Sequence, residues 1–357
     1  MITTILNLVC LLIAIAYYTL SERKIIAAIQ RRQGPQVVGW HGLLQPLADG
    51  LKVLTKEVII PRTASKWLFI LSSAYMLVIS LTVWCFIPIN PNKLSVEENL
   101  SANFFNGYLF FNKLVNSPLN LLLLLAISSL GIYGIIFSGW ASNSKYALIG
   151  SLRSAAQMIS YEVSLSLLVI PVLFMASSGN ILEIVEAQKN VWNVFFLWPV
   201  AFMFFVCSLA ETNRTPFDLP EAEAELVAGY NIDYSSLPFA LFFLGEYSNM
   251  LIMSSLNVLL FWGGWFFLPF VNKSLYLSDL LAALVFGLKL AIFAFIFVLV
   301  RAILPRYRYD QLMFLQWKIF LPYAILFILW LVGNKILAIS FFSTTNPLAL
   351  VWSLFIL

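Results

Sequence analysis

The chain has 357 residues, a formal net charge of +4, 61% hydrophobic residues and 11% charged ones. Soluble domains carry about 25% charged residues, so this composition, with a mean hydropathy of +0.90, excludes an ordinary soluble domain and points to a chain folded in lipid. One histidine and three cysteines without metal-type spacing exclude a bis-histidine haem within the chain and leave no metal site to read, and no glycine-rich nucleotide fingerprint is present.

A bilayer core about 30 Å thick needs about 20 mainly apolar residues per helix. Eight runs qualify: 3–21, 67–89, 118–140, 155–176, 193–211, 236–262, 279–301 and 319–341. The fold class read from them is all-α, a single integral membrane domain over 1–357 with eight transmembrane helices. The first run, in MITTILNLVCLLIAIAYYTLSERK, has no basic n-region and no small-residue cleavage site, so it reads as a retained helix rather than a signal peptide.

After it, GWHGLLQPLADGLKVLTKE sets Leu43, Leu44, Leu47, Leu51, Leu54 and Val58 at helical spacing, with Lys52 and Lys56 on another face. This predicts an amphipathic helix that lies in the membrane interface or packs on a partner, two compatible readings.

Three runs hold charges: Glu162 in AAQMISYEVSLSLLVIP, Glu246 in FALFFLGEYSNML and Lys289 in VFGLKLAIFAF. At 1.5 Å per residue, Glu246 lies about 18 Å from Tyr234, Lys289 about 18 Å from Arg301 and Glu162 about 13 Å from Arg153. Ionised groups at mid-span are unfavourable by at least about 2.5–3.5 kcal/mol each and face protein or water. They form either a structural pair, for instance Glu246 with Lys289, or stations on a proton path with Ser160, Tyr161 and Ser164 as hydroxyl neighbours. The sixth run would be about 39 Å long as a helix. It exceeds the bilayer core, so tilt or bending opens a gap near the inner surface where a lipid-soluble ligand can enter.

The segment LAETNRTPFDLPEAEAELVAGYNIDY follows the fifth run. It sets Glu211, Asp218, Glu221, Glu223, Glu225 and Asp233 against one base, Arg214. Pro216 and Pro220 break a continuous helix. Asp218 is placed to cap a short helix starting at Pro220, on which Glu221 and Glu225 share a face. At least four carboxylates then stand near one guanidinium, more than it can neutralise. A solvated acidic loop is the plain alternative.

Fifteen of the 21 lysines and arginines fall at the segments after runs one, three, five and seven. The positive-inside rule puts 22–66, 141–154, 212–235 and 302–318 on the matrix or cytoplasmic side as large loops. Twelve of the 17 acids lie on the same side, which that rule does not account for.

The stretches SERK, QRRQGPQVVG, GLLQPLADGLKVLTKE, GWASNSKYALIGSLRSAAQMISYEVS, LAETNRTPFDLPEAEAELVAGYN, FALFFLGEYSNM and RYRYDQLMFLQWK together resemble the subunit 1 family of NADH:ubiquinone oxidoreductase, respiratory complex I. The resemblance runs from residue 22 to about 322; segments 90–117, 177–192 and 323–357 show little of it. It implies a core subunit of the mitochondrial inner membrane, or of a bacterial inner membrane, that forms the ubiquinone access tunnel of a proton-pumping enzyme. Ubiquinone is then the substrate, and NADH, FMN and iron–sulfur clusters belong to partner subunits. The implied partners are the hydrophilic subunits at the quinone site, antiporter-like membrane-arm subunits and membrane lipids, with no nucleic acid. The resemblance also implies that Glu22, Asp49, Glu57, Glu162, Glu211, Asp218, Glu221, Glu223 and Glu246 form an acidic path coupling quinone reduction to proton translocation. Arg23, Arg214, Arg301 and Arg306 are then its counter-charges and loop anchors, with no metal.

Two rivals from other classes stand against this reading. A stand-alone channel or antiporter predicts function by this chain alone and internal inverted repeats, and no repeat is visible. A passive anchor for a redox arm accounts for the inner loops but not for Glu162, Glu246 and Lys289.

Overall fold

The computed structural model describes residues 2–88, 117–218, 229–267 and 279–343. Among these residues the regular structure is entirely helical. In chain order the elements are α1 (Ile2–Ile29), α2 (Gln45–Thr55), α3 (Lys66–Trp84), α4 (Asn120–Ser142), α5 (Lys145–Ala176), α6 (Ile181–Ala187), α7 (Asn193–Phe196), α8 (Trp198–Glu211), α9 (Ser236–Phe261), α10 (Asp279–Ile303), α11 (Tyr309–Phe314) and α12 (Leu321–Ser343). A π-helical turn, Leu315–Phe320, joins α11 to α12.

Among the described residues, six segments are long and apolar enough to cross a membrane: α3, α4, α5, α9, Leu281–Ile303 within α10, and Tyr309–Ile336 through α11 and α12. The protein is therefore polytopic. The first predicted run falls on α1 and the fifth on α7 and α8, and neither is among the six. The fifth run is broken because Leu197 leaves helical geometry and Pro199 starts a new helix, which leaves α8 with 14 residues. At 1.5 Å per residue that is about 21 Å, short of a bilayer core.

The loops are shorter than the sequence suggested. Segment 141–154 is nearly all helix: Asn143 ends α4 in the left-handed region (φ 53°) and Ser144 caps α5, its Oγ accepting from Ala147 N at 3.4 Å. Segment 302–318 contains α11 and most of the π-turn, and segment 22–66 starts inside α1 and contains α2. Hydrophobic periodicity marks the apolar middle of such helices and misses their polar ends.

Helix α9 is the axis of the bundle, with two thirds of its apolar window buried. Backbone and side-chain bonds sort the connections into two ends. At one end Ser65 N donates to Ala141 O, Ser236 Oγ donates to Val53 O and Lys56 O, and Tyr307 N donates to Pro216 O. At the other, Leu121 N donates to Gly179 O, Asn120 Nδ2 to Phe86 O and Gln188 Nε2 to Leu259 O. The first end gathers α2, the turn after α8 and the exits of α1 and α10, and it carries the charged cluster described next. Helix α2 forms as the leucine spacing predicted, and Leu47, Leu51 and Leu54 on it are exposed.

Candidate functional site

Four charged side chains from four places in the sequence meet where α1, α9 and α10 cross the turn after α8. Glu22 comes from α1, Glu246 from α9, Arg301 from the last turn of α10, and Arg214 from the turn itself. Arg214 Nε lies 2.8 Å from Glu246 Oε1, with its N–H not aligned on that oxygen, and Arg214 Nη1 lies 3.6 Å from Glu22 Oε1. Arg301 Nη1 forms a short ion pair with the same Glu22 oxygen. Tyr247 Oη donates to Glu22 Oε2 at 2.7 Å, and the Tyr247 ring lies 4.5 Å from the Arg214 guanidinium carbon. The Glu22, Arg214 and Glu246 side chains are all at most 10% exposed, whereas Arg301 is about a third exposed.

The local folding explains how Arg214 gets there. Helix α8 ends at Glu211; Asn213 takes positive φ, and Arg214 N donates back to Leu209 O at 3.3 Å. The chain therefore reverses at once and aims the next side chain into the bundle. Burial works against the Arg214 charge, yet Glu246, Tyr247 and Glu22 hold its pKa well above the usual arginine value. Tyr18, Glu22, Arg214, Met250, Phe297 and Arg301 line a small cleft beside the cluster, with room for about one water. One wall of it is charged and the other apolar.

The other predicted residues separate into smaller groups. Asp218 pairs with Arg306 at 3.1 Å and is buried; the helix it was expected to cap at Pro220 lies outside the described residues. Arg23 pairs with Asp49 at 2.6 Å on the exposed surface, and Asp49 also accepts from Gln45 Nε2. Glu57 is exposed beyond the end of α2. Glu221, Glu223 and Glu225 lie outside the described residues.

The sequence set Arg214 among the acids of its own segment, of which Glu221, Glu223 and Glu225 lie outside the described residues. Its described partners are Glu22 and Glu246, which it bridges instead of gripping one carboxylate with both arms. Glu211 stays within electrostatic reach of Glu162, and its Oε2 has no hydrogen-bond partner among the described residues.

Two further expectations are corrected. Ser129 on α4 stands beside the Glu162 carboxyl, its own hydroxyl donating to Ala126 O at 2.8 Å. Ser160 and Tyr161 instead donate to the carbonyls of Ala156 and Leu312, and Ser164 to Tyr161 O and Gln316 Oε1. The residues next to Glu162 in sequence point around the helix away from it. Lys289 does not pair with Glu246. It donates to Trp262 O at 2.6 Å and Phe266 O at 2.5 Å, beyond the far end of α9. Helical rise separates Trp262 from Glu246 by about 24 Å.

Tyr247 and Tyr18 were not singled out from sequence. The signal for Tyr247 was its place beside Glu246 in GEYSN; nothing local marked Tyr18, whose hydroxyl donates to Ala294 O.

A family profile described as NADH dehydrogenase matches residues 2–332 of the chain. The chain is 52% identical over 323 residues to NADH-ubiquinone oxidoreductase chain 1 of Chondrus crispus, covering 90% of this chain and 92% of that protein. It is 50% identical over 315 residues to the protein of the same name in Arabidopsis thaliana, covering 88% and 90%. It is 48% identical over 331 residues to a bacterial relative, an NADH-quinone oxidoreductase subunit of Ehrlichia ruminantium, covering 92% and 88%.

Proposed function

The chain belongs to the NADH dehydrogenase family, as a multi-pass inner-membrane subunit of NADH:quinone oxidoreductase, and from that premise we propose that it forms the ubiquinone access tunnel and begins the acidic path that couples quinone reduction to proton translocation. The observation that carries this reading is the buried Glu22–Arg214–Glu246 cluster beside the cleft between α1, α9 and α10. Burial of ions is unfavourable by several kcal/mol each after relaxation, and apolar residues of the same volume are often as stable. Charges held there despite that cost are explained by chemistry better than by stability.

Reduction of a quinone takes two electrons and two protons. The electrons arrive from an iron–sulfur cluster in a partner subunit, which also leaves NADH and FMN to other chains. The residues of this chain sense the proton demand. Glu22 is shared by Arg214, Arg301 and Tyr247, and Arg214 is shared by Glu22 and Glu246. A proton gained or lost at either carboxylate releases or tightens the guanidinium between them, and the shift moves the turn after α8. Asp218 with Arg306, and Arg23 with Asp49, anchor the neighbouring loops. Glu211 and Glu162 extend the path into the membrane, and Glu57, Glu221 and Glu223 complete its inner side.

In this reading α1 and α7–α8 complete eight spans. Segments 22–66, 141–154, 212–235 and 302–318 face the matrix or cytoplasm, where they meet the hydrophilic quinone-site subunits. The exposed leucines of α2 lie in the interface among lipids, and antiporter-like subunits continue the membrane arm.

The test is photolabelling of the assembled oxidoreductase with a head-group azido-ubiquinone. Label is expected in the peptides containing Glu22 and Arg301 and should be displaced by excess ubiquinone. Displaceable label confined to other parts of this chain would overturn the assignment.

A further inference from the structure

Building on the reading that Arg214 serves quinone reduction, we propose that Gln157 is the positioning residue that sets where the Arg214 guanidinium stands. Gln157 lies on α5 and has no solvent exposure. Its Nε2 donates to Ala210 O at 2.8 Å and to Phe217 O at 2.9 Å. Ala210 belongs to the last turn of α8 and Phe217 follows Arg214, so one amide nitrogen bridges the two sides of the turn that presents the arginine. The last carbonyls of a helix lack intrahelical partners, and in surroundings without water an unmet carbonyl is strongly unfavourable. Gln157 adds a side-chain bond to Ala210 O, which also accepts from Asn213 N at 3.3 Å, and meets Phe217 O across the turn.

The rest of the turn is tied to the same helix. Asn213 Nδ2 donates to Ser154 Oγ at 3.0 Å, and Ser154 lies three residues before Gln157 on the same face of α5. Inside the turn, Phe217 N donates to Arg214 O at 2.8 Å. Helix α5 therefore carries the Arg214 turn through two side chains, and Gln157 is the one that fixes both of its ends.

The orphan atom of Gln157 argues against simple space filling. Its Oε1 is buried with no hydrogen-bond partner among the described residues. A leucine would fill similar volume without that orphan acceptor, which is unfavourable where it is. What leucine lacks is the pair of N–H donors, and these are what the turn uses.

Three variants of the assembled oxidoreductase separate the possibilities. Gln157→Leu removes both donors, Gln157→Glu keeps the shape without the amide, and Gln157→Asn keeps the amide one carbon shorter. NADH-driven quinone reduction is compared with NADH oxidation by a hydrophilic acceptor in the same preparation. Displacement of a catalytic group by about 1 Å costs on the order of 100-fold, so the Leu and Glu variants should lose roughly 10- to 100-fold in quinone reduction. The Asn variant should recover part of this, and acceptor activity should hold in all three. Combined with Arg214→Lys, the Gln157→Leu loss should shrink, because both act through one group.

Losses that multiply independently, or acceptor activity that falls in proportion, overturn the proposal. Should the Leu variant not assemble, Glu and Asn variants of equal activity overturn it as well. If Arg214→Leu itself leaves quinone reduction intact, the site reading fails; if Arg214→Leu abolishes it while Gln157→Leu is silent, only the positioning role falls.

Discussion

Tyr247 touches both signs of charge in the buried cluster: its hydroxyl donates to Glu22 at 2.7 Å while its ring lies 4.5 Å from the Arg214 guanidinium carbon. A tyrosine can do this because its tip is polar and its face carries a negative quadrupole. The two contacts can be removed one at a time.

Tyr247→Phe keeps the ring and deletes the donor. A hydrogen bond to a charged group is worth about 1.5–3 kcal/mol, so quinone reduction should drop roughly tenfold or more if that energy holds Glu22 in its working position. Tyr247→Leu should be worse, since it also removes the face against Arg214. The measurement is quinone reduction normalised to NADH oxidation by a hydrophilic acceptor in assembled complexes. A Phe variant equal to the unsubstituted enzyme would show that the hydroxyl only fills space.

Arg214 stays charged at every pH at which the protein is folded, because its carboxylate and phenol neighbours outweigh burial. Its own titration therefore contributes nothing to the pH profile of quinone reduction. Arg214→Leu should abolish most of that activity, since removing one partner of a buried pair costs about 3–5 kcal/mol. Arg214→Lys should restore it in part, a point charge lacking the fork that bridges two carboxylates. The same carboxylate and phenol neighbours that outweigh burial for the arginine would hold a lysine charged, so the Lys variant should keep the pH profile of the unsubstituted enzyme. A new alkaline limb in the Lys variant between about pH 6 and about pH 9 would contradict this.

What the sequence revealed and what it hid follow one rule. The apolar runs located α3, α4, α9 and α10 closely, because lipid demands long uninterrupted hydrophobic helices. The same signal failed at 141–154, where the polar first turns of α5 looked like loop, and at Leu197, where a break preceding Pro199 divides one run into two helices. The site residues Glu22, Arg214, Glu246 and Arg301 were all named, but their partnership was not legible. Arg214 stands in a segment crowded with acids, and nearness along the chain suggested those acids as partners. After the reversal at Asn213 its described partners lie across the bundle, Glu22 on α1 and Glu246 on α9. Likewise Glu246 and Lys289 looked like a pair when both were counted as mid-membrane. Only the packing of α10 on α9 shows which turn each one faces.

Glu162 now has a specific neighbour to test. Ser129 on α4 stands beside its carboxyl, which lies within electrostatic reach of Glu211. Glu162→Gln keeps the size, but it cannot exchange a proton. It should lower proton pumping and quinone turnover several-fold while leaving the amount of assembled complex unchanged. Ser129→Ala should have a smaller effect, because its hydroxyl donates to Ala126 O and not to the carboxyl. Normal turnover and pumping in assembled Glu162→Gln would make Glu162 a structural residue.

Lys289 is predicted to behave oppositely, and the reason lies at the end of α9. The helix finishes at Phe261, and the carbonyls of Trp262 and Phe266 just beyond it receive two N–H bonds from the ammonium at 2.6 and 2.5 Å. The Trp192 ring covers the same ammonium at 4.3 Å. A cation at a helix C-terminus is favourable by the sense of the helix dipole, and the bonds it makes here are charge-assisted. All of these contacts close the chain around Gly263 and Gly264, which both take positive φ, and none of them reaches the Glu22–Arg214 cluster. Lys289→Met should therefore lower the thermal stability of the complex, with turnover per assembled enzyme preserved. Lys289→Arg should keep most of the stability, because a guanidinium still offers two donors to the two carbonyls. The measurement is residual quinone reduction after graded heating, set against the initial rate. If Lys289→Met assembles with normal heat resistance but loses quinone reduction, the lysine belongs to the proton path and the capping role is wrong.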